Sequence, residues 1–129
     1  MSKRPLSPHL QIYRPQLTSF LSITHRGTGV FLSLGSILIL FWLAAGALGE
    51  EPYRAIHDCI NSVPGKVAML AWTFAFFFHL MNGIRHLFWD IGLGFELVTA
   101  YRSGYTVLFG SIVLTAAVWT YAILEWGTP

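Results

Sequence analysis

Two histidines, His79 and His86, could do chemistry that the apolar residues around them could not. After seven residues a helix returns to within about 20° of its starting direction, so the two imidazoles share one face. Asn82, Gly83 and Asp90 lie on the same face. His79 lies about 16 Å of helical rise from Asp90, and His86 lies about 10 Å closer to that end. A lone histidine in an apolar helix often only packs through a hydrogen bond, but polar groups there favour a functional hypothesis.

A second polar group comprises Ser22, His25 and Arg26, a hydroxyl, an imidazole and a permanent cation within about 6 Å of helical rise. We expect this group to be functional, although Arg26 could instead simply extend towards lipid headgroups. Gly29 and Ser33 continue the same face with the spacing of small residues that pack helices together. We interpret these two residues as a packing seam.

The histidine face suits a haem. The iron needs an imidazole roughly perpendicular to the porphyrin, and Gly83, one turn from His79, removes a side chain that would obstruct a flat ring. His79 is therefore the candidate iron ligand. His86 projects from the same side of the helix, and His25 lies at the level of His86, too shallow to face His79, so the other axial ligand should come from another chain. The anionic propionates would then meet His25, Arg26 and His86.

Three long runs without formal charge must position these residues. The runs contain 23, 18 and 22 residues and lie at 27–49, 67–84 and 103–124. Each can cross a bilayer core of about 30 Å as a helix, and strands would alternate between apolar and polar residues instead. We therefore predict an all-α integral membrane bundle of three transmembrane helices, at about 22–48, 64–90 and 104–126. A polar arm, residues 1–21, and an acidic loop between the first two helices complete one domain, 1–129.

The distribution of basic residues predicts the orientation. With the N-terminus in the cytoplasm, that side carries six basic residues and the opposite side two, which favours this arrangement. The arm is interrupted by prolines, and we expect it to lie along the cytoplasmic surface, either as an interfacial leader or as a docking surface for a soluble protein. The first apolar run has too long a leader for a cleaved signal peptide.

Several classes of partner are disfavoured. Cys59 is the single cysteine, so no disulfide within the chain and no cysteine-based metal site is expected. The net charge of +2 is small and the basic residues are dispersed, so nucleic acid is not an expected partner.

Two motifs resemble the cytochrome b membrane-anchor subunits of succinate dehydrogenase, respiratory complex II. The first motif is the segment 4–10, followed by Ser19, Ser22, Ile23, His25, Arg26, Thr28 and Gly29. The second motif is His79, the segment 83–87, Trp89, Asp90 and Gly92. Together they span the arm and two of the helices. The first motif begins almost at Met1, so we expect a bacterial cytoplasmic membrane rather than a mitochondrial inner membrane.

The resemblance implies roles for most of the polar residues. His79 would be the axial ligand of a haem b, with Gly83 beside it and the second ligand on a second small anchor subunit. His25, Arg26 and His86 would reach the haem propionates. Ubiquinone would bind at Ser22, Ile23 and Arg26, next to an iron–sulfur subunit that a flavoprotein subunit completes. By this resemblance the chain is a membrane subunit of an enzyme complex and carries no catalytic residue on its own.

The residues also suggest how a quinone site would work and leave two alternatives. Ser22 can donate a hydrogen bond to a quinone oxygen, Arg26 can only stabilise negative charge, and His25 is the better proton relay. The first alternative is a proton-conducting or transporter subunit with a relay of His79, His86 and the acidic residue that ends their face. The second is a purely structural anchor for soluble enzymes.

Overall fold

The computed structural model describes residues 14–127, with the side chain of Trp126 excepted. The chain forms four helices in this range: α1 (Leu17–Leu48), α2 (Glu50–Asn61), α3 (Val63–Asp90) and α4 (Leu97–Trp126). The described residues contain no strand. The predicted all-α class is confirmed. The predicted arm lies largely outside the described residues, and its cytoplasmic location stays a prediction.

Three of the helices are long and apolar enough to cross a membrane: Leu17–Leu48, Val63–Asp90 and Leu97–Glu125. The predicted three spans are therefore confirmed by number. The first and third helices begin earlier than predicted, at Leu17 instead of about 22 and at Leu97 instead of about 104. Charge-free runs underestimate helix length, because a membrane helix can continue past its apolar part into polar surroundings.

The predicted acidic loop between the first two spans is wrong, because these residues form α2. Glu50 and Glu51 occupy the first turn, where acidic side chains interact favourably with the helix dipole, and Pro52 is tolerated there. Tyr53, Ile56 and Ile60 are half-buried, while most of the other α2 side chains are exposed. Their spacing places them on one face, so α2 is an amphipathic helix lying against the bundle.

Sharp connections hold α2 between the long helices. Gly49, the residue between α1 and α2, has a φ of 129°, a backbone conformation that residues other than glycine rarely adopt. Ser62 separates α2 from α3, and its hydroxyl accepts a hydrogen bond of 3.2 Å from the Gly65 backbone N–H. This is an N-cap, and Pro64 in the first turn of α3 supports it. The chain therefore turns twice within a few residues.

The three long helices meet at a small core, to which each contributes one buried residue: Leu21, Phe78 and Val107. Gly104 allows α4 to approach α1, because a Cβ there would lie only 2.7 Å from Leu21 Cδ1. Most of the large apolar side chains outside this core are exposed. An exposed apolar surface of this extent is expected for helices that contact lipid or other membrane subunits.

Candidate functional site

His79, on α3, is held by the backbone of α1. Its Nδ1 atom lies 3.1 Å from the His25 carbonyl oxygen and 3.3 Å from Thr28 Oγ1. The Thr28 hydroxyl itself donates to the His25 carbonyl oxygen over 2.9 Å. A carbonyl oxygen can only accept, so Nδ1 must carry the proton. In the neutral imidazole this leaves the lone pair on Nε2, the form in which histidine binds a metal.

Gly29 allows this close contact between α1 and α3. A Cβ atom at position 29 would lie 3.1 Å from His79 Cε1, which is tighter than an ordinary van der Waals contact. The sequence indicated a packing seam at Gly29, and the structure shows that what packs there is the imidazole of His79. The small residue therefore contributes directly to how His79 is placed.

His25, predicted to lie too shallow to face His79, stacks directly on it. The two ring centroids are 4.0 Å apart with an interplanar angle of 14°. His25 also approaches His86, with a centroid distance of 5.2 Å and an angle of 36°. The prediction was wrong because the rise per residue fixes depth within one helix and not the offset between two helices. The structure therefore brings the three histidines together.

The surface beside Gly83 is occupied by the same histidine. A Cβ at Gly83 would lie 3.9 Å from His25 Cε1, and no other described atom lies within 4 Å of it beyond the neighbouring backbone. His25 Nδ1 is buried and has no hydrogen-bond partner among the described residues. The unsatisfied nitrogen of His25 is a place where a ligand group could form a hydrogen bond.

Two of the three predicted quinone residues are exposed on α1. Ser22 is half-buried, Ile23 is 68% exposed, and Arg26 is exposed. Within residues 14–127, the Arg26 side chain makes no hydrogen bond, ion pair or ring contact. Its guanidinium group is therefore available to a partner beyond this part of the chain.

The donor set fits a haem better than a bare metal ion. Among the described residues no group of three or more His, Cys, Asp or Glu side chains is arranged to hold a metal ion. One oriented imidazole, His79, is what one chain would supply to a haem whose other axial ligand lies elsewhere. Cys59 is exposed and free.

Two important residues, Thr28 and Arg85, were given no role of their own in the sequence analysis. Thr28 supports His79, and its spacing along the helix gave no separate signal. Arg85 is 6% exposed and bonds across to α4, although the sequence treated it only as one positive charge among six. A charged residue in an apolar helix is the signal by which Arg85 could have been found.

Comparison with known proteins identifies the class. The family described as the succinate dehydrogenase/fumarate reductase transmembrane subunit matches residues 1–118. The chain belongs to this family of membrane subunits, and within it to the cytochrome b subunits of succinate dehydrogenase.

Three relatives illustrate the match. The succinate dehydrogenase cytochrome b556 subunit of Rickettsia conorii is 42% identical over 118 residues, which cover 92% of each chain. The b556 subunit of Paracoccus denitrificans is 39% identical over 111 residues, covering 86% of this chain and 85% of the relative. The mitochondrial b560 subunit of Homo sapiens is 41% identical, covering 83% of this chain and 64% of the relative. The three spans and the bacterial relatives agree with a multi-pass protein of the bacterial inner membrane.

Proposed function

We propose that this chain binds haem b through His79 and helps to form the ubiquinone site of a succinate dehydrogenase complex. The observation that carries the haem proposal is the bond from His79 Nδ1 to the His25 carbonyl oxygen, which reserves Nε2 for iron. The haem, when bound, supplies a one-electron redox centre. The family's cytochrome b name supports this cofactor.

The other residues of the cluster position this group. Gly83 carries no side chain that would obstruct a flat ring on the face of His79, and the unsatisfied Nδ1 of His25 is a group to which a propionate can hydrogen-bond. His86, in contact with His25, and Arg26, one residue further along α1, are the remaining donors on this side. These four residues and His79 are our proposed haem-binding set.

The exposed residues of α1 suit a quinone shared with a partner. Arg26 presents a permanent positive charge, which stabilises negative charge developing on a quinone oxygen and cannot deliver a proton. Ser22 can donate a hydrogen bond to the same class of oxygen, and Ile23 offers apolar surface to the ring. His25 is the candidate proton relay. Ile23 and Arg26 are exposed, and we propose that a second subunit covers them.

The partners follow from the same open surfaces. We propose a second small anchor subunit that supplies the other axial ligand, an iron–sulfur subunit next to the quinone, and a flavoprotein subunit that oxidises succinate. The relatives are named as subunits of succinate dehydrogenase, which supports assembly into such a complex.

The haem proposal is tested by replacing His79. We expect His79→Ala to abolish or grossly change the haem b redox difference spectrum of the purified complex. His57→Ala is the matched control, because His57 lies on α2 and, among the described residues, interacts only with Tyr53 and Asn61 of the same helix. A haem b spectrum unchanged by His79→Ala would exclude His79 as the axial ligand.

The quinone proposal is tested by separating two activities of the complex. We expect Arg26→Ala to lower succinate-driven quinone reduction by at least about tenfold, the effect of losing one hydrogen bond from a charged group. Reduction of an artificial dye by the soluble subunits should survive. Arg102→Ala, which removes another exposed arginine, should affect neither activity. Equal loss of both activities in Arg26→Ala would indicate an assembly defect instead.

The proton-conducting alternative has little support in the arrangement of α3. His86 contacts His25 and Trp89, whereas Asp90, the predicted acidic end of the relay, is exposed and makes no described side-chain contact with His86. The membership of the chain in a redox family also favours the haem proposal.

A further inference from the structure

Arg85 is a buried cation without a counter-ion among the described residues. It lies on α3 about 8 Å of helical rise before the helix ends at Asp90, and only 6% of it is exposed. The single ion pair in residues 14–127 joins Arg54 to Glu50 on α2, so no described carboxylate neutralises Arg85. Burying an isolated charge is costly, and intramembrane charges usually face a partner or a polar cavity.

The neighbours of Arg85 are neutral and leave part of its donor capacity unused. Nε donates to Ser103 Oγ over 2.9 Å, one terminal nitrogen donates to the Ala100 carbonyl oxygen over 3.0 Å, and the other lies 3.4 Å from Asn82 Oδ1. An arginine carries five N–H groups, so each terminal nitrogen retains one N–H without an acceptor among the described residues. Trp89 covers one face of the guanidinium, whose central carbon lies 3.9 Å from the ring centroid.

A cavity of about 410 Å³ adjoins this group between α3 and α4. Its polar lining includes Arg85 and three hydroxyl residues, Thr99, Ser103 and Thr106. The rest is predominantly apolar, and residues such as Ile84 and Phe88 form a wall along α3. The cavity is lined by residues of α3, α4 and their connection and by none of the three histidines, although Trp89 of its lining also contacts His86.

We propose that this cavity binds one anionic phospholipid. The phosphate oxygens would accept hydrogen bonds from the two free N–H groups of Arg85, and an acyl chain would lie along the apolar wall. A phosphate matches the fork of an arginine, and basic pockets between membrane helices near the surface suit acidic headgroups. An apolar wall continuous with a single buried cation favours a lipid over free phosphate, which has no apolar part.

Native mass spectrometry of the delipidated complex tests this proposal, with equal amounts of phosphatidylglycerol and phosphatidylcholine as probes. We expect the wild-type complex to prefer phosphatidylglycerol. Arg85→Gln should reduce that binding by at least about tenfold, because it removes a charge-assisted pair. Arg102→Gln is the control: Arg102 lies on the neighbouring helix but is exposed, and its replacement should preserve the preference.

A second variant keeps Arg85 and blocks the cavity. Thr106 lines the cavity and its side chain is exposed, so Thr106→Trp should fill the space without touching the Arg85 hydrogen bonds. Thr106→Trp should also bind less phosphatidylglycerol than the wild type. This variant tests the proposal even if Arg85→Gln fails to assemble. Wild-type binding in both variants, or no preference in the wild type, would overturn the proposal.

Thermal unfolding distinguishes a lipid site from a simple helix clamp. If the lipid binds Arg85, adding phosphatidylglycerol to phosphatidylcholine nanodiscs should raise the Tm of the wild-type complex and not that of Arg85→Gln. A clamp that only joins α3 to α4 would lower the Tm of Arg85→Gln equally in both lipid mixtures. That result, like pairing of Arg85 with a carboxylate of another subunit, would contradict the lipid proposal.

Discussion

Replacing Gly29 with alanine should displace the imidazole of His79. The added Cβ would lie 3.1 Å from His79 Cε1, a few tenths of an ångström inside ordinary contact. His79 has little freedom to move away, because its Nδ1 is bonded to the His25 carbonyl oxygen and its ring is stacked on His25. One of the two helices or the imidazole must therefore shift.

The magnitude follows from two opposing effects. Overpacking a well-packed contact costs about 1–3 kcal/mol, whereas replacing a helical glycine with alanine recovers about 0.5–1 kcal/mol. The net loss for Gly29→Ala is then about 1 kcal/mol, which corresponds to roughly a fivefold change in an equilibrium constant. We expect the purified complex to retain about fivefold less haem b per mole of this chain under limiting haem.

The chain supplies its own control for this experiment. A Cβ at Gly27, two residues earlier on the same helix, would meet nothing within 4 Å. Gly27→Ala therefore gains the helical preference of alanine without a new contact. Haem content is measured by the redox difference spectrum after protein quantification. If Gly29→Ala and Gly27→Ala retain equal haem, the contact with His79 does not position the ligand and the reasoning is refuted.

Two further predictions concern the supports of the bundle. Thr28→Val should weaken haem retention by a few-fold, because it removes a hydroxyl near His79 Nδ1 worth about 1 kcal/mol and leaves the bond to the His25 carbonyl oxygen in place. Haem content of the complex after dilution measures this effect. Unchanged retention would show that Thr28 does not contribute to the site. Ser62→Ala should lower the Tm of the complex, because it removes an N-cap worth about 1 kcal/mol. Ser62→Asp, which can also cap the helix, should keep the Tm of the wild type. Equal Tm values for the wild type and both variants would show that the bond to Gly65 contributes nothing.

The number of spans was predictable from the sequence because the bilayer imposes a strong requirement. A run of about 20 uncharged residues has few other stable structures in lipid. The amphipathic helix α2 was not predicted, because three half-buried residues among acidic and polar neighbours give a weak signal in a short segment. The pattern of Tyr53, Ile56 and Ile60 contains that signal once a surface for it to pack against is known.

The site was predictable in its residue types and less so in its geometry. Periodicity placed His79 and His86 on one face of a helix, but it could not give the axial offset between two helices, which decides that His25 stacks on His79. The burial of Arg85 depends on which side of α3 meets α4, and a charge count carries no such information. Relations within a helix follow from the chain, whereas relations between helices follow from packing.

The acceptor that fixes the His79 tautomer is a main-chain oxygen, that of His25. Scanning mutagenesis of side chains cannot delete that acceptor, because every residue placed at position 25 brings its own carbonyl group. Position 25 can therefore be varied to probe its imidazole while the proton on His79 Nδ1 stays in place. The imidazole of His79 loses its orientation only when α1 bends or moves away from α3. The ability of His79 to bind a metal therefore depends on how these two helices pack.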